Sequence, residues 1–153
     1  MDNHNLLEII GIYTPPINAI NIANYFGILV SFCDFGEKYQ NIYSFNDGEE
    51  IYINKNIHPY KMNFSIAREF SHIKLNGKKF FESNEYKPNQ GIIELLTENT
   101  NEVNVNKFAL NLIAPPNMLK KYFKYSSKKS MEILFMLDFH LIQYQLNSKQ
   151  LVW

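Results

Sequence analysis

The chain has 153 residues, 46% of them hydrophobic and 15% aromatic, which is enough apolar surface to build one buried core. Lysine plus arginine and aspartate plus glutamate number 15 each, so the net charge is zero and no global field draws the chain onto nucleic acid or anionic lipid. The single cysteine, Cys33, excludes an intramolecular disulfide framework and a cysteine-rich zinc site, and no apolar run reaches the roughly 20 residues of a membrane span. With no charged-then-apolar leader at its start, the chain is expected in the cytoplasm. Arg68 is its only arginine.

After Pro15 and Pro16, the residues Ile17, Ile20, Ala23 and Phe26 recur at helical spacing until Gly27, which predicts a short amphipathic helix. Ile28 to Cys33 is an apolar β-branched run, Asn41 to Phe45 alternates, and Glu50 to Asn54 alternates again with Ile51 and Ile53 on one face. Between the last two strands, Asn46, Asp47 and Gly48 favour the positive φ of a tight hairpin. Beyond His58 and Pro59 the pattern turns helical from Tyr60 to Leu75, with Met62, Ile66, Phe70 and Ile73 in one stripe and Gly77 as the stop. Phe80 to Gly91 reads as a polar loop. A second helix begins between Leu95 and Glu102, carries Val105, Phe108, Ala109, Leu112 and Ile113, and stops at Pro115 and Pro116. The remainder holds a lysine-rich turn (Lys120, Lys121, Lys124, Lys128, Lys129) and one or two further helices, with Asp138 as an N-cap.

On the Tyr60 to Leu75 helix, steps of about 100° per residue place His72 about 40° and Glu69 about 100° from Arg68. The apolar stripe centres at about 150°, so the three polar residues border the core. A Glu and a His three apart, with a cation four residues before the His, have the spacing of a metal or proton-transfer site. A surface ion pair beside an interfacial histidine has the same spacing. Cys33 reads as a small buried hydrophobe, His58 as a loop residue or a contact at the start of the helix, and the lysine-rich turn as a solvated loop.

Three segments, PINAINIANYFGILV, IYINKNIHPYKMNFSIAREFSHIKL and NVNKFALNLIAPP, fall in an order that resembles the ImmA/IrrE family of metallopeptidases over roughly Pro16 to Leu119. The family pattern runs from a strand ending in IxIN to a helix with A-H-E-x-x-H and then to E-A-N-x-F-A-x-x-L-x-x-P. The resemblance implies a zinc site with two histidines and a Glu as ligands and a second Glu as general base. It places Glu69 at the general-base position and His72 at a retained ligand position. Arg68 and Asn104 stand at the other two ligand positions, giving RExxH in place of HExxH. A guanidinium has no lone pair for a metal, and a neutral amide oxygen suits zinc poorly. Glu98, Glu102 and His58 are the residues nearest to a replacement, and none restores the missing histidine.

The resemblance therefore implies an α+β fold of zincin-like type, with a small three-stranded mixed or antiparallel sheet against the central motif helix. Residues 1–118 are expected to form this domain and 119–153 a helical extension packed on it, reminiscent of a helix-turn-helix. The expected function is that of a catalytically degenerate, regulatory protein-binding module acting on a helix-turn-helix repressor or other partner from a phage or mobile element. Its partner-binding cleft would hold Arg68, Glu69, His72 and Asn104, with no cofactor. The alternative is an active metallo-endopeptidase with an altered zinc site that cleaves such a repressor. A nucleic-acid-binding module is disfavoured by the zero net charge.

Overall fold

The computed structural model describes residues 6–8, 11, 14–82, 100–124 and 126–147, the side chains of 78–82 and 100–102 excepted. In chain order the elements are α1 (Ala19–Tyr25), β1 (Leu29–Cys33), a 3-10 turn (Glu37–Tyr39), β2 (Ser44–Asn46), β3 (Glu50–Asn54) and α2 (Pro59–Glu82). They continue with α3 (Thr100–Ile113), α4 (Pro116–Phe123), α5 (Lys128–Phe135) and α6 (Phe139–Asn147).

The sheet is mixed, with strand order β1-β3-β2. β1 runs parallel to β3, placing Val30 opposite Ile51 and Phe32 opposite Ile53. β2 runs antiparallel to β3, with Phe45 opposite Tyr52. Asp47 Oδ1 accepts the N–H groups of Glu49 and Glu50, and Gly48 takes φ 94°, as the hairpin requires. The expected strand over Asn41 to Phe45 is shorter and displaced, because Tyr43 instead accepts the N–H of Asn54 and pairing starts at Ser44. Asn54, the last residue of β3, holds the preceding loop by donating to the carbonyls of Gln40 and Ile42.

Along each strand successive side chains face opposite sides of the sheet. Ile51 and Ile53 face the helices and are fully buried, while on the other face the Phe45 and Tyr52 rings stack at 4.7 Å. There the Tyr52 hydroxyl lies 3.0 Å from Glu50 and 3.3 Å from Asp47. The hydrogen bond to Glu50, then burial and the two negative charges, push the tyrosine up to about 12. Burial opposes ionisation of Asp47, but its backbone and Tyr52 hydrogen bonds outweigh this and hold its carboxyl below the ordinary value.

α2 crosses the buried face of the sheet and is enclosed on every side from Asn63 to His72. The Met62–Ile66–Phe70–Ile73 stripe supplies only part of that burial; the rest falls on polar residues. Asn63 fixes the helix to the start of α1 by accepting the Ala19 N–H at 2.9 Å and donating to the Ile17 carbonyl at 3.1 Å. Gly77, at φ 68°, interrupts the helix where the sequence predicts its end. Helical backbone then resumes to Glu82, so residues 80–82 are not the loop expected there.

Pro115 ends α3 in an extended conformation and Pro116 opens α4, so the proline pair joins two helices. The lysines of the expected turn belong instead to helices: Lys120 and Lys121 to α4, Lys124 to its C-cap, and Lys128 and Lys129 to α5. Among the described residues three helices follow Pro115, where one or two are expected. Asp138 occupies the N-cap position of α6 through its carbonyl, while the Phe139 N–H donates to the Glu132 carboxylate at 3.0 Å. Leu119, Met131, Phe135, Leu137, Leu141 and Ile142 share one buried cluster with Ile51, Phe64, Phe70 and Leu110. Gln145 secures α6 by donating to Asn111 and to the Ala114 carbonyl. No helix among the described residues is long and apolar enough to cross a membrane.

Replacing Asn63 with Ala leaves one buried N–H and one buried carbonyl without their partner and is expected to cost about 2–4 kcal/mol, read as a lower urea midpoint at unchanged m. Because the folded pKa of Tyr52 is raised, its contribution to stability is complete below the unfolded value of 10.0 and is lost as pH rises through about 12. Tyr52→Phe should remove that late tyrosinate step from a difference titration at about 295 nm, and the alkaline loss of stability that accompanies it.

Candidate functional site

The central helix carries Arg68, Glu69 and His72 to the middle of the domain, where all three have no accessible surface. Glu69 reaches the sheet. Its Oε2 accepts the Ser44 hydroxyl and its Oε1 accepts the Asn46 amide, both at 2.9 Å. The two donors alternate with Phe45 on β2, so the strand's pleat aims both at the helix. Asn46 also accepts the Gly48 N–H through Oδ1, which makes the carboxylate part of the hairpin's own wiring. Arg68 Nη1 stands 3.6 Å from Glu69 Oε2, a buried ion pair.

His72 lies one turn further along, with Nδ1 3.2 Å from the Asn76 side-chain amide nitrogen. An amide N–H can only donate, so in this arrangement Nδ1 accepts and the ring proton of a neutral imidazole sits on Nε2.

The sequence groups Asn104 with these three residues, but the structure does not: Asn104 is exposed on α3. The helix turns Val105 and Asn106 inward instead, and the Asn106 side chain is fully buried with neither amide atom in a hydrogen bond. Of the residues expected to line a partner-binding cleft, Arg68, Glu69 and His72 have no accessible surface, because α1, α3, β2 and β3 pack against α2. His58 is exposed at the start of α2, where its Nδ1 accepts the Tyr60 N–H at 3.2 Å, a helix-capping contact. Cys33 is half-buried and reduced, not fully buried as expected. His140 is exposed on α6. His4, Glu98 and the Glu102 side chain lie outside the described residues.

Ser44, Asn46 and Asn76 are the site's neighbours that sequence reasoning missed. The signal for the first two is present as polar residues at the inward parity of a strand, but the alternation of Asn41 to Phe45 ends one residue before Asn46.

A zinc ion needs three convergent lone-pair donors and an open fourth position. Arg68 brings a fixed positive charge to one donor position, Asn104 turns away from another, and both Glu69 oxygens are engaged by β2. Among the described residues, no group of three His, Cys, Asp or Glu side chains is placed to hold a metal. The described residues do not fit zinc.

A small mixed sheet laid on a central helix with Glu and His three apart, crossed by a second helix, defines a metallopeptidase-like α+β domain. The chain belongs to the ImmA/IrrE family: the family model for the IrrE N-terminal-like domain of the M78 peptidases matches residues 23–132, from within α1 to within α5. No curated protein and no solved structure matches the chain.

Removing Glu69 would take from the buried Arg68 guanidinium the carboxylate 3.6 Å away. Glu69→Ala is expected to cost about 3–5 kcal/mol, while Arg68→Met in the same background should recover part of it, because the charge that needs compensation is then gone too. Urea unfolding of the two single variants and the double variant measures the coupling.

Proposed function

We propose that this chain is a catalytically silent member of the ImmA/IrrE family that works as a regulatory protein-binding module. The observation that carries the reading is the buried pair of Arg68 and Glu69, with both carboxylate oxygens held by Ser44 and Asn46. A general base must reach a water beside a bound substrate. Glu69 faces a guanidinium on one side and an edge strand on the other, and it has no accessible surface. The arginine supplies, 3.6 Å from the carboxylate, the positive charge that a metal would supply.

What remains usable is the surface around this centre. β2 is an outer strand of the sheet, and its hairpin is rigidly wired to α2 through Glu69. An extended segment of a partner can add to such a strand by main-chain hydrogen bonds. In keeping with the family, the partner proposed is a helix-turn-helix repressor or another protein from a phage or mobile element, bound and not cleaved.

Tag-free protein should carry far less than one zinc per chain, and its thermal midpoint should not move when a chelator is added. Calorimetry with zinc chloride should give no binding that competes with a micromolar chelator. About one zinc per chain, lost to a chelator and regained with cleavage of a co-encoded repressor, would replace this reading with that of an altered enzyme. Formation of an uncleaved complex with that repressor, detected by gel filtration, supports it directly.

A further inference from the structure

The C-terminal helices take no part in the centre just described. α5 and α6 are joined by only Met136, Leu137 and Asp138, with Met136 in the left-handed conformation (φ 51°, ψ 50°) that ends α5 and turns the chain. A turn of three or four residues between two helices is also the connection found in the helix-turn-helix unit. The inward residues of this one, Met131, Phe135, Leu137, Leu141 and Ile142, are buried in the domain core.

The outward face of α6 carries His140, Gln143 and Asn147, all exposed and spaced three and four apart along one stripe. No Asp, Glu, Lys or Arg occurs in α6. The stripe therefore offers an imidazole and two amides, groups that both donate and accept, with no charge of their own.

Lysines flank this stripe at both ends. Lys128 Nζ lies 5.3 Å from the centre of the Phe139 ring, at the first turn of α6. At the last turn, Leu146 lines a surface groove of about 580 Å³ together with Lys120, Lys121, Phe123 and Lys124. Between Pro116 and Asn147 the chain holds five lysines against two carboxylates, Glu132 and Asp138, so the local balance is positive although the net charge of the whole chain is zero.

We infer that the α5–turn–α6 unit docks on double-stranded DNA, with α6 in the major groove and the lysines of α4 and α5 on the flanking phosphates. An α-helix fits that groove, and amide side chains pair with adenine edges there, while lysines supply the sequence-independent share of affinity. The global neutrality that disfavours a nucleic-acid partner is an average over the whole chain, whereas docking depends on the local excess of lysine over carboxylate in α4 to α6. An acidic protein segment would also meet the lysines, but it has no use for an uncharged stripe of hydrogen-bonding groups between them.

The test uses the full chain and a fluorescein-labelled mixed-sequence duplex of about 24 base pairs, with anisotropy followed from about 50 to 200 mM NaCl. Engagement of all five lysines gives a log–log salt slope of about −4.5. The triple variant Lys121→Gln, Lys124→Gln, Lys128→Gln should flatten the slope by about 3 and weaken binding to every duplex alike. The variant Gln143→Ala with Asn147→Ala should keep the slope but lose the enrichment of preferred sequences from a random duplex pool. Acetylation footprinting of the wild-type protein gives a readout that does not depend on any variant: duplex should protect Lys121, Lys124 and Lys128 and leave Lys38 and Lys55 reactive. No binding at low salt, an unchanged slope in the triple variant, or equal labelling of all lysines overturns the inference. Displacement of the duplex by polyglutamate at equal charge overturns it too, in favour of an acidic protein partner.

Discussion

A guanidinium taken wholly out of water constrains everything around it. Desolvating an arginine and a carboxylate costs several kcal/mol per ion, and proximity alone does not recover it unless hydrogen bonds complete the carboxylate. At the centre of this domain that completion comes from outside the helix bearing the pair: the Ser44 hydroxyl and the Asn46 amide, two positions apart on β2, each take one Glu69 oxygen. The edge strand is thus tied to the motif helix by charge-assisted bonds as well as by apolar packing. Moving β2 by one residue would turn Ser44 and Asn46 to the outer face and bring Phe45 against the carboxylate. The pair therefore fixes strand register as well as position.

This arrangement explains how a helix that bears so many polar residues can serve as a core element. From Asn63 to His72 every residue is buried, and most polar members are absorbed one at a time: Asn63 by α1, Ser71 by the Ala67 carbonyl of its own helix, Glu69 by the hairpin and His72 by Asn76, while the Ser65 hydroxyl has no hydrogen-bond partner among the described residues. In the family to which the chain belongs, the corresponding face is expected to serve a metal. Here Arg68 brings a positive charge to the Glu69 carboxylate within the covalent chain, and the pair is fully buried.

Much of this fold was legible from residue pattern. The three strands, the Asp47–Gly48 hairpin, the central helix and its stop at Gly77 follow from periodicity and backbone preference, which are local properties. The proline pair at 115 and 116 was legible as a stop but not as a start, since the same φ that ends one helix opens another. The lysines from 120 to 129 looked like a loop because charge density obscured the buried Leu119, Met131 and Phe135 between and beside them. At the centre, the angle between Arg68, Glu69 and His72 was legible, but not how deep they lie, because depth is set by elements far away in sequence. Asn104 shows the limit most clearly: a motif assigns it to the centre, whereas the rotation of α3 assigns Val105 and Asn106 to the inside.

The hairpin also orders events in time. β2 and β3 are neighbours in sequence and can pair once a short turn closes, whereas the parallel partnership of β1 with β3 must wait for about 20 residues to be looped out. Glu69 and Arg68 cannot leave water at acceptable cost until Ser44 and Asn46 are in place to receive the carboxylate. Collapse of the central helix onto the sheet is thus conditional on a structure that forms locally and fast. A nascent chain with the turn unmade would keep its most polar helix solvated and its apolar stripe uncovered, a state open to association with other chains. The small Asp47–Gly48 turn acts in this sense as a checkpoint on the whole domain.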